Sequence, residues 1–178
     1  MTISDSANLV IAGTTVIALI LAILGYNNWK RELIVNRKMD IAIRLHKTSI
    51  ILERAFILAR SPAGFGIKGE EDFTNEQKRN ANLQRRLMYI VNALSEFDAV
   101  VLEADILGIE EVLTFKRQYS DKFYELRISL LKQNLSTISD EEDDRLTKIV
   151  YGYGEDEFAS QVRSITASAE AVSRKYVV

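Results

Sequence analysis

The chain has 178 residues, 23 Lys plus Arg against 25 Asp plus Glu, a net charge of −2 and a pI near 5.6. That balance gives no overall electrostatic attraction for nucleic acid. There is no cysteine and one histidine, His46, which excludes a disulfide scaffold, thiolate metal sites, a cysteine nucleophile, the H-E-x-x-H zinc motif and a di-iron site with paired Glu-x-x-His.

From Ser6 to Trp29 no residue is charged, and ten of the residues from Leu9 to Leu24 are Leu, Ile or Val. Residues 7–27 are predicted to form one transmembrane helix, since about 20 residues span roughly 30 Å, the hydrocarbon thickness of a bilayer. At about −0.3 to −0.6 kcal/mol each, the ten aliphatics favour insertion by at most ~3–6 kcal/mol. Thr14 and Thr15 can return their hydroxyls to preceding backbone carbonyls. A cleaved signal peptide fits poorly: "MTISDS" has no basic residue, the apolar run is long, and "NNWKRE" follows it where a small-residue cleavage site would stand. The flanks orient the span. Asp5 is the only side-chain charge before it, while Lys30, Arg31, Arg37 and Lys38 follow it. The positive-inside rule then predicts an extracytoplasmic tail at 1–6, residues 28–178 in the cytoplasm, and an inner-membrane, single-pass protein with its N-terminus out. Tyr26 and Trp29 stand where interfacial aromatics belong, with Lys30 and Arg31 beside them as the membrane-interface cations. Distance along the helix weakens Arg37 and Lys38 as lipid contacts, and simple topological stop-transfer is the plainer reading of the four.

Beyond the span, Trp29 to Arg60 contains no proline or glycine. Ile41, Leu45, Thr48, Leu52, Ala55 and Ala59 recur in steps of four and three, a helical stripe. If continuous with the span, this helix runs roughly 80 Å; Asn27-Asn28 is the place where a bend is expected. Pro62 and three glycines in "SPAGFGIKGEEDF" end it. Thr74 with Gln77 fits a capping box. The helix it opens carries Leu83, Leu87, Ile90, Leu94, Phe97, Val101 and Ala104, and Met88, Val91 and Leu102 are read as widening that stripe. So broad an apolar face suits a bundle core better than a two-stranded seam. Gly108 marks a turn into a third helix with Val112, Phe115, Tyr119, Phe123, Leu126 and Leu130 on one side. "NLSTISD" is the next break, where Ser139 and Glu142 predict a second capping box with Asp140–Asp144 in the first turn, favoured by the helix dipole. After "YGYG" a last helix shows Phe158, Val162, Ile165, Ala169, Val172 and Tyr176. No strand pattern and no repeat is present. The prediction is an all-α protein: one N-terminal transmembrane helix, then an antiparallel helical bundle or coiled-coil-like cytoplasmic domain.

Motifs for chemistry are weak. Gly64-Phe-Gly66-Ile-Lys-Gly69 matches G-x-G-x-x-G but follows a helix instead of a strand, and the next helix opens too late to present its N–H groups to a pyrophosphate. Phe65 and Ile67, apolar residues in that loop, are candidates for a partner-binding tip. The acids "DEEDD" and "EDE" lack the glycine of an EF-hand loop and read as solvated helix starts. His46 has Ala42, Ile43, Ser49 and Ile50 at i±4 and i±3, so no acid on its own helix prepares it as a base or ligand. No G-x-S-x-G elbow occurs.

The run "NWKRELIVNRKMDIAIRLHKTSIILERAFILARSP" resembles a group of uncharacterised bacterial single-pass inner-membrane proteins with a short N-terminal anchor, a Trp-Lys/Arg start, a helix of spaced Leu and Arg, and an R-x-P turn. Here Arg54-Ala55 and Arg60-Ser-Pro62 carry the likeness, over about a fifth of the chain. The resemblance implies an inner-membrane setting and no catalytic residues. The expected function is a non-enzymatic, membrane-anchored helical scaffold or assembly protein, with the lipid bilayer, a protein partner of unknown identity and a second copy of itself as partners. No cofactor, metal, nucleic acid or small-molecule substrate is expected. The alternatives are a single-pass signal transducer whose membrane helix continues into the bundle, and a module binding anionic lipid surfaces.

Overall fold

A computed structural model of the chain describes residues 3–61, 74–133, 139–152 and 156–177, with side chains from residue 11 onward. Among the described residues the protein is all-helical: α1 (Ile3–Ala59), α2 (Asn75–Ile106), α3 (Val112–Lys132), α4 (Asp140–Val150) and α5 (Glu157–Arg174). The chain divides into two units, Met1–Met39 and Asp40–Val178.

In the first unit, α1 contains an apolar stretch long enough to cross a membrane, with a window of mean hydropathy 1.6, none of it buried within the protein. Every described side chain from Ile11 to Leu24 is exposed. The helix tolerates its two threonines because Thr14 and Thr15 both donate to the Ile11 carbonyl, at 2.9 and 2.8 Å, so neither hydroxyl is left without an acceptor. The backbone is helical through Asn27-Asn28, the place where a bend is expected. Asparagine is only a few tenths of a kcal/mol poorer than good helix formers, roughly 0.7 at most, and two of them do not interrupt so long a helix.

The second unit is built around one apolar core. The stripe expected on α1 is buried throughout: Ile41, Leu45, Thr48, Leu52, Ala55 and Ala59, with Phe56 beside it. On α3, Val112, Phe115, Tyr119, Leu126 and Leu130 are buried, and on α5 Phe158, Val162, Ile165, Ala169 and Val172. Four helices meet at an aromatic centre. Tyr119 of α3 stacks on Phe56 of α1 at 6.3 Å and meets the edge of Phe97 of α2 at 5.2 Å, and Phe56 contacts Phe158 of α5 at 6.0 Å. The Tyr119 hydroxyl shares a hydrogen bond with Thr166 Oγ1 at 2.9 Å. Burial pushes this phenol up to about 12 despite that partner. Pairs at the rim fix the neighbours: Arg44 holds Glu103 through two bonds of 2.8 and 2.9 Å, Lys116 lies 3.3 Å from Asp98, and Arg163 lies 3.6 Å from Glu53.

The helix ends follow local chemistry. Thr74 and Gln77 form the full capping box at the start of α2. Gly108, at φ 75°, takes the left-handed conformation that ends α2. The Ile109 N–H reaches the Ala104 carbonyl at 3.0 Å and the Gly108 N–H reaches Asp105 at 2.9 Å, the paired bonds of a Schellman motif. Two expectations need correction. Ser139 does accept from the Glu142 N–H at 3.3 Å, but the Glu142 carboxylate takes Lys132 Nζ of α3 at 3.0 Å, a charged partner, in place of the reciprocal half of a capping box. Met88, Val91 and Leu102 do not widen the buried stripe of α2; all three are exposed. At about 100° per residue Leu102 stands roughly 140° round the helix from buried Phe97.

Candidate functional site

In the first unit, the i, i+3 spacing sets Tyr26 and Trp29 on one side of α1, with ring centroids 6.1 Å apart. Both rings are exposed, as are Lys30 and Arg31. The apolar segment therefore ends in two amphipathic rings followed at once by two cations. Phe65 and Ile67, and the G-x-G-x-x-G motif around them, lie outside the described residues.

On the second unit α2 carries two apolar faces. Ile90, Ala93, Phe97, Val101 and Ala104 point into the core. Met88, Val91, Ser95, Ala99, Leu102 and Ile106 form a second stripe in steps of three and four, uncharged and exposed along its length. Met88 is 53% exposed, Leu102 63% and Ile106 75%. The stripe runs ~27 Å at 1.5 Å per residue. Soluble domains leave single apolar residues on the surface freely, but a continuous row at coiled-coil spacing is the form of a helix-docking seam.

A groove of about 580 Å³ lies between α3, α4 and α5, with Ile128, Leu146 and Phe158 among its walls. Its three carboxylates are already engaged. Glu125 takes Lys122 Nζ at 2.6 Å, Asp156 takes Arg60, and Glu157 accepts from Gln161 at 3.1 Å. These pairings spend the groove's acids on structure, leaving an apolar wall with Arg145, Lys148 and Lys132 at its edge, the last already paired with Glu142.

Arg60 is the chief polar anchor of the second unit, and only 2% of it is exposed. It follows α1, and its guanidinium donates to the Ile149 carbonyl at 2.6 Å, the Lys148 carbonyl at 2.8 Å and Asp156 Oδ2 at 2.7 Å, while lying 4.5 Å over the Phe158 ring. Those carbonyls are orphan acceptors at the end of α4, and a cation there also answers the helix dipole. Asp156 caps α5, accepting from the Ala159 N–H at 2.8 Å. Desolvation disfavours the Asp156 carboxylate, but the hydrogen bonds from Arg60 and Ala159, with the Arg60 charge, together outweigh it and hold the carboxyl below its ordinary range. Gly152 lets the chain pass close: a Cβ there would stand 3.1 Å from the guanidinium carbon.

His46 is half-buried, and among the described residues its Nδ1 has no partner. The fold brings Glu170 of α5 near enough to feel it, although Arg174 is the larger cause of that carboxyl's depressed pKa. Among the described residues no three His, Asp or Glu side chains gather as a metal site. Sequence reading missed Arg60, Asp156 and the outer face of α2; the available signal was a basic residue in phase with a buried stripe, Arg60 four after Phe56. Comparison of the chain with protein-family models, curated proteins and solved structures returned no match.

Proposed function

We propose that the chain is a membrane-anchored, non-enzymatic helical scaffold or assembly protein. Residues 7–27 would cross the inner membrane once, N-terminus out, and residues 28–178 would form an antiparallel cytoplasmic bundle acting through protein contacts. Support for the anchor comes from the exposed apolar stretch of α1 and the aromatic and basic residues that close it, since an unpartnered aliphatic surface of that length is stable only against lipid or protein. Support for the antiparallel order comes from the contacts: Arg44 meets Glu103 while Ser61 meets Arg86, and Glu53 meets Arg163 while Arg60 meets Asp156.

The observation that carries the scaffold reading is the outer stripe of α2. Its order is nearly palindromic in size: Met88 and Val91 at one end, Ser95 and Ala99 in the middle, Leu102 and Ile106 at the other. An antiparallel partner helix could therefore approach closely at the centre and pack large residues at both ends, which a second copy of α2 would do about a two-fold axis. Leu102→Glu with Ile106→Glu should leave the fold intact and abolish this association. In a chain without native cysteine, Ser95→Cys offers a direct readout: in membranes it should crosslink to a second copy or to one defined partner. Failure of Ser95→Cys to crosslink to any protein would sink the reading.

A second reading, signal transduction, is favoured by the unbroken helical backbone through Asn27-Asn28. It predicts that Asn27→Pro with Asn28→Gly uncouples any response while leaving membrane insertion and the bundle intact.

A further inference from the structure

Arg86 is a charge inside the second unit with too few acceptors among the described residues. It stands on α2 between Leu83 and Ile90 and is 5% exposed. Among the described residues its guanidinium has one hydrogen-bond acceptor, the Ser61 carbonyl at 3.1 Å, and lies 5.0 Å from the Tyr151 ring centroid. Its Nε is buried with no partner among the described residues. Burying an ionised group is strongly unfavourable unless a counter-charge and its hydrogen bonds accompany it, and Arg60, also buried, shows what full provision looks like.

A cavity of about 100 Å³ opens beside Arg86. Arg79, seven residues earlier on α2, lines it too, with Asn82, Gln133 and Tyr151, and none of the described lining residues is acidic. Asn82 Oδ1 is itself buried with no partner among the described residues. The two ends of a carboxamide are interchangeable by rotation, so Asn82 can turn its NH2 inward. Gln133 is tied by Nε2 to Thr147 Oγ1 at 3.1 Å, which fixes that wall. At ~30 Å³ per water the space takes about three waters, and so one small oxyanion.

We propose that this cavity binds a single oxyanion, a phosphate or a carboxylate, between Arg86 and Arg79 with Asn82 as a further donor. The buried guanidinium supplies a fixed planar donor edge, the geometry that suits carboxylate and phosphate oxygens. Exposed Arg79 completes the site from the solvent side. The chemistry is independent of the scaffold reading and would give the domain a ligand of its own.

The full-length protein in neutral detergent micelles should be titrated with inorganic phosphate at constant ionic strength, with chloride as the reference. A saturable rise in the unfolding midpoint and saturable broadening of the phosphorus resonance are expected. Arg79→Gln, a surface change that spares the core, should weaken binding about ten-fold, the equivalent of one charge-assisted hydrogen bond. Acetate on the same terms sorts the source. Competition as strong as that of phosphate assigns the site to carboxylate ligands, and phosphate binding alone assigns it to phosphate-bearing ones; either supports the site. No saturable response to either ion, or an affinity unchanged in Arg79→Gln, overturns it. So does a response that emerges only in Glu70→Gln, Glu71→Gln, Asp72→Asn, because the chain's own carboxylates would then be the intended counter-charge.

Discussion

Between Ile11 and Leu24, and again between Ile41 and Ala59, α1 is made largely of the same aliphatic residues. In the first stretch they occupy every side of the helix and all are exposed; in the second Ile41, Leu45, Leu52, Ala55 and Ala59 form a buried stripe in steps of three, four and seven, while Ile43, Ile57 and Leu58 stand exposed off it, with Lys47 and Arg54. Apolar content is thus a poor guide to where a helix ends up, while its angular distribution is a good one. An all-round apolar surface calls for an apolar solvent, whereas a stripe calls for neighbouring helices.

The sharpest way to break this comparison is to make one truncation in both places. Phe56→Ala should cost the second unit about 3–5 kcal/mol, through lost burial and a cavity at the aromatic centre. Leu21→Ala should leave that unit's unfolding within about 0.5 kcal/mol of the parent. Chemical denaturation of the full chain in detergent micelles measures both, and equal effects would erase the distinction. Next in size is Arg60→Met, which keeps bulk and removes the charge. It strands Asp156 and two carbonyls, and about 3 kcal/mol should be lost, against at most a few tenths for Lys30→Met on the exposed part of α1. Gly108→Ala should cost about 1 kcal/mol, since only glycine holds φ 75° without strain, while Gly25→Ala, with open space around it, should cost the second unit nothing measurable.

The smallest effect expected is one of pH. Asp156 has its carboxyl depressed in the folded protein, so it contributes stability that is fully present above the unfolded value of about 3.9 and is lost as pH falls through the lower folded value. The stability difference between the parent and Asp156→Asn should therefore be constant near neutrality and shrink on acidification below about pH 4. A difference that shrinks at higher pH would point to another group.

Much of the second unit was legible because its buried faces on α1, α3 and α5 obey one period. Thr74 and Gly108 announced their helix ends by the same local chemistry that makes them. On α2 the pattern misled, because apolar residues on two opposite sides look like one broad face when they are counted and not projected around the axis. Arg60 and Arg86 were harder to see. Each sits in phase with a buried stripe, yet what each binds lies on another segment: carbonyls of α4 and a carboxylate before α5 for Arg60, the carbonyl of Ser61 for Arg86. Periodicity locates a position on a helix and carries no information about acceptors 25 to 96 residues away in sequence.

One guanidinium joins the end of α1, the last turn of α4 and the first turn of α5, and the Arg60 carbonyl also takes the Gly152 N–H at 3.2 Å. Such a junction cannot fray one strand of contacts at a time. In hydrogen exchange the amides of Tyr151, Gly152 and Ala159 should open together, with one shared free energy, so this end of the domain behaves as a single latch whose release exposes three helix ends at once.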